Sequence, residues 1–186
     1  IDDATFSDCE RLQSIVMPSD VLSIGKSAFQ NCKSLRSVVI PKSIERVHGF
    51  AFWNCKDLAS VEIFEGVKLI GEHAFKLCSG LTSIVIPRSV ERIDRNAFEG
   101  CTALEFIVLP DLLVDNSLDY GITPDQTVTS HSAFMQDWKR QNGLEGKSYS
   151  EQAIVFLYQL KEMQSFNPAW NEVLQQYPEV GVQDII

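Results

Sequence analysis

The side chains in this sequence that could carry out thiol or metal chemistry are five cysteines and three histidines. Each cysteine lies 23 residues before the next, and the set is Cys9, Cys32, Cys55, Cys78 and Cys101. Disulfide frameworks and metal sites usually place their cysteines in closely spaced pairs such as C-x2-C. The odd count and the uniform spacing favour buried free thiols that pack as small apolar groups. A disulfide or metal framework is the alternative.

The histidines offer a second opportunity for metal binding. His48 and His73, with Glu72 nearby, could supply nitrogen and oxygen ligands, although we interpret both histidines as surface residues of outer turns. The sequence contains no G-x-S-x-G, H-E-x-x-H or Walker motif. We therefore expect no catalytic residues, no metal and no cofactor. An enzyme within residues 130 to 186 is the alternative, and a polar pocket with perturbed carboxylates would support it.

A repeat of 23 residues must position all these side chains. The text that starts at Cys32, CKSLRSVVIPKSIERVHGFAFWN, returns at Cys78 as CSGLTSIVIPRSVERIDRNAFEG. Self-similarity at a fixed period of this length is typical of a solenoid, in which each unit buries its apolar face against its neighbours. The chain begins in mid-repeat, since residues 1–8 align with residues 24–31, and we expect further sequence upstream. A naturally ragged start is the alternative.

Each repeat predicts one short strand followed by an outer turn. Val38 and Ile40 alternate with residues of the opposite face, and Pro41 ends the strand because proline cannot donate to a continued ladder. Ile44, Val47 and Phe52 then return at spacings that suit a loose or helical turn. Phenylalanines recur in one phase of the repeat and should form a continuous internal stack: Phe6, Phe29, Phe52, Phe75 and Phe98.

The pattern C-x-x-L-x-x-I-x-I-P-x-x-V-x-x-I-x-x-x-A-F resembles the BspA-type leucine-rich repeat, also called the Treponema pallidum type. The resemblance implies an α/β fold, a leucine-rich repeat solenoid with short parallel strands on the concave face. It also implies a bacterial surface or secreted protein, a host-directed effector, or a protozoan surface protein, with a role in adhesion or protein binding. The unit from Cys55 departs from the pattern through Glu62 and Phe64.

Strand positions between the buried ones should face the concave surface. Valine recurs there and would form an exposed apolar stripe, which monomeric proteins usually avoid. A partner-binding surface is one interpretation, with Phe106 as an aromatic anchor. The strand preference of valine is an equally weighted alternative. The predicted binding residues are Val16, Arg36, Val39, Glu62, Val85, Glu105, Phe106 and Val108.

The period is lost after Pro110, which divides the sequence into three parts. Residues 1–110 hold the repeats, and residues 111–130 are rich in turn-forming types and are interpreted as a connector. Residues 131–186 predict three helices, starting near Ser132, Ser148 and Asn167. We interpret them as a helical cap on the end of the solenoid, and a separate helical domain is the alternative.

Charge limits the kinds of partner. The net charge is −9; residues 1–110 have 14 acidic and 12 basic residues, net −2, and residues 111–186 have 11 and 4, net −7. An acidic chain without a basic stripe argues against nucleic acid, and no apolar run is long enough to insert into a membrane. We expect a monomer that binds a protein partner, which could be a host protein. Secretion or delivery into a host cell is favoured, with a cell-surface adhesin or a structural spacer as alternatives.

Overall fold

The computed structural model describes residues 1–141, and the predicted helices near Ser148 and Asn167 lie outside them. The chain divides into two compact units, residues 1–134 and 135–186. The strands are β1 (Ser23–Ile24), β2 (Ser37–Ile40), β3 (Arg46–Val47), β4 (Ser60–Ile63), β5 (Leu69–Ile70), β6 (Ser83–Val85), β7 (Arg92–Ile93), β8 (Phe106–Leu109) and β9 (Thr127–Ser130). A 3-10 helix covers Asp111–Tyr120, and helix α1 covers His131–Gln141.

Parallel strands stacked at the period of the repeat build a solenoid, which confirms the predicted fold class. On the inner, concave side, β2 pairs with β4 in the register Val39↔Glu62. Strand β6 pairs with β8 in the register Val85↔Val108. Inward side chains alternate with outward ones along each strand, so Val38 and Ile40 enter the core while Val39 is half-buried on the other face.

The outer side of each turn contains a second parallel sheet, which the sequence interpretation did not include. It consists of two-residue strands in the order β1-β3-β5-β7. A tight turn follows each strand, and it holds a residue with positive φ, such as Phe50 (60°) or His73 (57°). A left-handed residue cannot continue an α-helix, which is why apolar spacings of three and four give a turn at this place and no helix.

The phenylalanine stack predicted from the repeat runs through the solenoid core. Neighbouring rings lie nearly parallel, with centroids 5.1 Å apart for Phe29 and Phe52 and 5.2 Å apart for Phe52 and Phe75. Phe52 and Phe75 are fully buried, whereas Phe6, in the first turn, is only half-buried. Each internal ring therefore contacts an aromatic neighbour on both sides.

The cysteines are free thiols, and four of the five are buried, as expected. Each buried thiol donates a weak hydrogen bond to a phenylalanine carbonyl of the preceding turn, as from Cys55 Sγ to Phe29 O at 3.1 Å. Burial raises the pKa of Cys101 to about 12, because a low-dielectric surrounding disfavours the thiolate. Cys9 differs from the others, since it lies in the first turn and is exposed.

The unit from Cys55 stacks despite its departures from the pattern. Phe64 replaces the proline of the other units, and its backbone N–H donates to Ile40 O at 3.0 Å, a bond that proline could not form. The carboxylate of Glu65 then accepts the backbone N–H groups of Arg88 and Ser89. These bonds join the turn after β4 to the turn after β6.

The segment interpreted as a connector continues the solenoid. The Phe98 N–H donates to Tyr120 O at 2.8 Å, as the Phe75 N–H donates to Ala97 O in the preceding turn. Strand β9 then pairs with β8, and Tyr120 and Ile122 join the core. Residues 111–130 thus form a sixth turn whose sequence has lost the motif.

Candidate protein-binding surface

The concave row consists of the outward positions Val39, Glu62, Val85 and Val108 of the inner strands, together with Val16 at the equivalent repeat position of the first turn, where no strand forms. Stacked parallel strands are about 4.8 Å apart, and the register places Val39 beside Glu62 and Val85 beside Val108. The row is apolar except for one carboxylate at its centre.

The N-terminal half of the row is open to solvent. Val16 is 91% exposed and Val39 is half-buried. Arg36, the residue before β2, is also exposed. Exposed valine and arginine side chains in this part of the chain can contact a partner through both apolar area and charge.

The C-terminal half of the row is buried, contrary to the expectation of one exposed stripe. Val85 is 2% exposed and Val108 is fully buried, although both lie on the outward face of their strands. Neither valine belongs to the solenoid core, whereas their chain neighbours Ile84 and Ile107 do. Glu105 is exposed and Phe106 is half-buried at the edge of this region.

The start of α1 contacts residues next to the two valines in the chain. His131 Nε2 lies 2.6 Å from Ile86 O, next to Val85 in the chain. The Phe134 ring lies 6.0 Å from the Phe106 ring, centroid to centroid, at an interplanar angle of 49°. His131 and Phe134 are themselves buried. No sequence pattern indicates this contact, because His131 and Ile86 are 45 residues apart and the repeat does not relate them.

A carboxylate cap holds the first turn of α1. Asp111 Oδ2 accepts the Ser132 hydroxyl at 2.6 Å, and Asp111 Oδ1 accepts the Ser132 backbone N–H at 3.1 Å. These hydrogen bonds from Ser132 lower the pKa of Asp111. The Ala133 N–H donates to Ser130 Oγ at 3.2 Å. Side-chain acceptors thereby satisfy two of the free N–H groups that every helix start presents.

Glu62 is the one ionisable member of the row, and it is 3% exposed. Burial raises the pKa of its carboxyl group to about 7, because the charged form loses its hydration. The neutral acid is therefore a substantial species near physiological pH. The sequence placed Glu62 in the row but did not indicate this burial.

The histidines do not form a metal site among residues 1–141, where no cluster of three or more metal-ligating side chains occurs. The His73 ring lies against Phe50, 4.9 Å between centroids. Its nitrogens lie 3.8 Å from Glu72 and 3.7 Å from Glu99. His48 is half-buried on the neighbouring outer turn. Within the same described range, no helix is long and apolar enough to cross a membrane.

Comparison with known families identifies the repeat. The model of the BspA type leucine rich repeat region matches residues 1–117 with six copies. No curated protein matches the sequence. The six copies extend past Pro110, in agreement with the continued stacking of the chain after that residue.

Solved structures similar to the chain include two bacterial leucine-rich repeat proteins. A leucine-rich cell surface protein from Faecalibacterium prausnitzii has 28% sequence identity and a TM-score of 0.57, over 63% of this chain and 32% of that one. The T. pallidum leucine-rich repeat protein has 24% identity and a TM-score of 0.54, over 68% of this chain and 79% of that one, and it supports the fold alone. The chain thus spans about a third of the length of the first relative.

Proposed function

The chain belongs to the BspA-type leucine-rich repeat family, and from this premise we propose that it is a non-catalytic module that binds a protein partner through its concave face. Proteins with leucine-rich repeats generally bind proteins or act as scaffolds. We propose that the partner contacts the open half of the concave face, around Val16, Arg36 and Val39.

The observation that carries the proposal is the exposure of apolar side chains in that half. Val16 is 91% exposed in the first turn, and Val39 is half-buried in β2. Exposed apolar area in a contiguous row costs free energy in water and marks interaction sites in soluble proteins. The preference of valine for strands accounts for the residue type, but a solvated strand face is equally well formed by threonine.

The composition of the surface suggests the chemistry of the partner. Arg36 is exposed three residues before Val39 in the chain, and Arg is enriched at binding hot spots because it offers several donors and a flat apolar face. A partner segment with an aliphatic or aromatic side chain near a carboxylate would satisfy both groups. The net charge of −9 disfavours a nucleic-acid partner.

For the cellular setting, we infer a bacterial protein that acts outside its own cell. Proteins with BspA-type repeats are typically bacterial surface or secreted proteins, and the similar F. prausnitzii protein is described as a cell surface protein. Delivery into a host cell, where the free buried thiols would persist, remains our proposal for the destination, with a surface adhesin as the competing role. A structural spacer is the second candidate function, and the uniform stacking of the repeats favours it.

The experiment that tests binding is affinity capture with matched charge variants of the full chain. The variant Val16→Glu/Val39→Glu places two carboxylates in the open half of the row. The control Leu22→Glu changes an equally apolar side chain, 70% exposed, just before β1 on the outer sheet. Val85→Glu is unsuitable because that side chain is buried, so its loss of binding could reflect unfolding.

We expect wild type and Leu22→Glu to capture the same protein from host-cell lysate. The double variant should capture at least tenfold less of that protein and keep the circular dichroism spectrum of the wild type. Equal capture by all three folded chains would contradict the concave site. Failure of wild type to retain any protein above a blank resin, from both host and bacterial lysates, would favour the spacer role.

A further inference from the structure

We propose that residues His131–Phe134, here called the cover segment, are a removable lid on the C-terminal half of the concave face. When the segment lifts, the partner-binding surface extends from Val16 and Val39 to Val85 and Val108. This inference rests on the proposed function for its biological meaning, although the lid itself can be tested without any partner.

The first supporting observation is that the covered surface is separate from the solenoid core. Val85 and Val108 are buried, yet the core consists of the side chains on the opposite face of the same strands, such as Ile84 and Ile107. Strand alternation keeps the two faces apart. The cover segment can therefore leave the valines without opening the stack of repeats.

The second observation is that the buried contact of His131 is incomplete. A backbone carbonyl can only accept, so the 2.6 Å contact with Ile86 O requires the proton on Nε2. The neutral ring then presents Nδ1 as an acceptor, and this buried nitrogen has no hydrogen-bond partner. A buried acceptor without a donor loses its hydration and gains nothing in return, which lowers the free-energy cost of lifting the segment.

The third observation is that, within the described residues, the hydrogen bonds of the cover segment with Asp111 and Ser130 are exposed. Water competes for the Asp111–Ser132 bonds and for the Ser130–Ala133 bond. Strand β9 ends at Ser130 and is paired with β8 along its whole length. A backbone rotation at Ser130 and His131 is enough to move the cover segment while β9 stays in place.

The uncovered surface would have a defined chemistry. Val85, Val108 and Phe106 would form an apolar floor, and Ile86 O would be a free acceptor at its edge. The cover segment meets these with the Phe134 ring and the His131 N–H. A protein partner that replaces it should likewise present an aromatic side chain close to a hydrogen-bond donor.

Thiol labelling of neighbouring buried positions tests the lid. In a Cys9→Ser background, which removes the exposed native thiol, Val108→Cys reports on the covered face and Ile107→Cys reports on the core. Both positions are fully buried. Iodoacetamide labelling in native buffer is followed by mass spectrometry. The free energy of unfolding of each variant, measured in urea, gives the labelling rate expected if the thiol is exposed only by global unfolding.

We expect Val108→Cys to label at least tenfold faster than global unfolding allows, and Ile107→Cys to label only at the global rate. Adding Phe134→Ala or His131→Ala should speed labelling of Val108→Cys by about tenfold or more, because the aromatic pair or the buried hydrogen bond is lost. Neither change should alter the ratio of the Ile107→Cys rate to its global rate. Val85→Cys and Ile84→Cys form a second pair with the same expectation.

Labelling of Val108→Cys and Val85→Cys at the global unfolding rate, with or without Phe134→Ala, would overturn the lid. That result would leave the capture experiment with Val16→Glu/Val39→Glu unaffected, since the open half of the row needs no lid. Conversely, fast labelling together with equal capture by all variants would retain the lid and refute concave binding.

Discussion

Truncation of one internal ring of the phenylalanine stack should destabilise the whole solenoid. Phe52 is fully buried and lies between Phe29 and Phe75 at 5.1 and 5.2 Å. Phe→Ala changes in well-packed cores cost about 3–5 kcal/mol, and each stacked pair is worth about 0.5–1.5 kcal/mol beyond area burial. Because Phe52→Ala removes two such pairs, we expect a loss near the top of that range, about 5 kcal/mol.

The first-turn ring provides the matched comparison. Phe6 is half-buried and has one stacked neighbour, Phe29, at 5.2 Å. About half of the transfer free energy and a single aromatic pair give an expected loss of about 2 kcal/mol for Phe6→Ala. The difference between the two variants depends on position in the stack, since the deleted atoms are the same.

Urea unfolding followed by circular dichroism measures both losses, with the slope checked for a constant change in exposed surface. Typical domains are stable by about 5–15 kcal/mol, so a loss of about 5 kcal/mol should remove at least a third of the stability. Phe52→Leu, which keeps most of the volume, should recover more than half of the loss. Equal destabilisation by Phe52→Ala and Phe6→Ala would refute the reasoning that a continuous stack holds the repeats together.

Three further predictions concern single side chains. Because burial raises the pKa of Glu62 from 4.5 to about 7, the folded chain binds more protons than the unfolded chain between these pH values. The free energy of unfolding should therefore fall by about 3 kcal/mol as pH rises through them. Urea unfolding at both ends of the range should give no such fall for Glu62→Gln, and the same fall in that variant would show that another group causes the effect. In native buffer a thiol reagent should label Cys9 alone, with Cys101 and the other buried thiols reacting only in urea, and a second labelled site by mass spectrometry would contradict their burial. Gly66→Ala should cost more than about 1 kcal/mol in thermal unfolding, since Gly66 has φ 134° and a Cβ would collide with Lys42 O; an unchanged melting temperature would show that this turn relaxes.

The repeat itself is what the sequence made predictable. Side chains at one phase of a 23-residue period must occupy equivalent places in every turn, so the stacking of Phe29, Phe52 and Phe75 could be predicted from the sequence alone. Alternation along Ser37–Ile40 likewise separated the core side chains from the outward ones. These inferences hold because each depends on a neighbour one repeat away, a distance that the sequence states directly.

The features that the sequence did not predict depend on backbone geometry or on contacts outside the repeat. The left-handed conformation of Phe50 has no composition signal, because bulky residues have no intrinsic preference for positive φ and a hydrogen bond from Phe50 N–H to Glu72 O in the next turn holds it there. The contact of His131 with Ile86 joins segments that share no periodicity. The burial of Val85, Val108 and Glu62, and with it the difference between the two halves of the concave face, could not be derived from local patterns.

Site-specific photo-crosslinking tests most directly whether partners contact the concave face. A photoreactive amino acid replaces Arg36, exposed beside the open half of the row, or Leu22, exposed on the outer sheet. We predict that illumination in host-cell lysate yields a discrete protein adduct from position 36 and none from position 22. Adding Val16→Glu/Val39→Glu should abolish the adduct from position 36. A discrete adduct from position 22 with none from position 36, or one from position 36 that survives the double substitution, would contradict binding at the concave face.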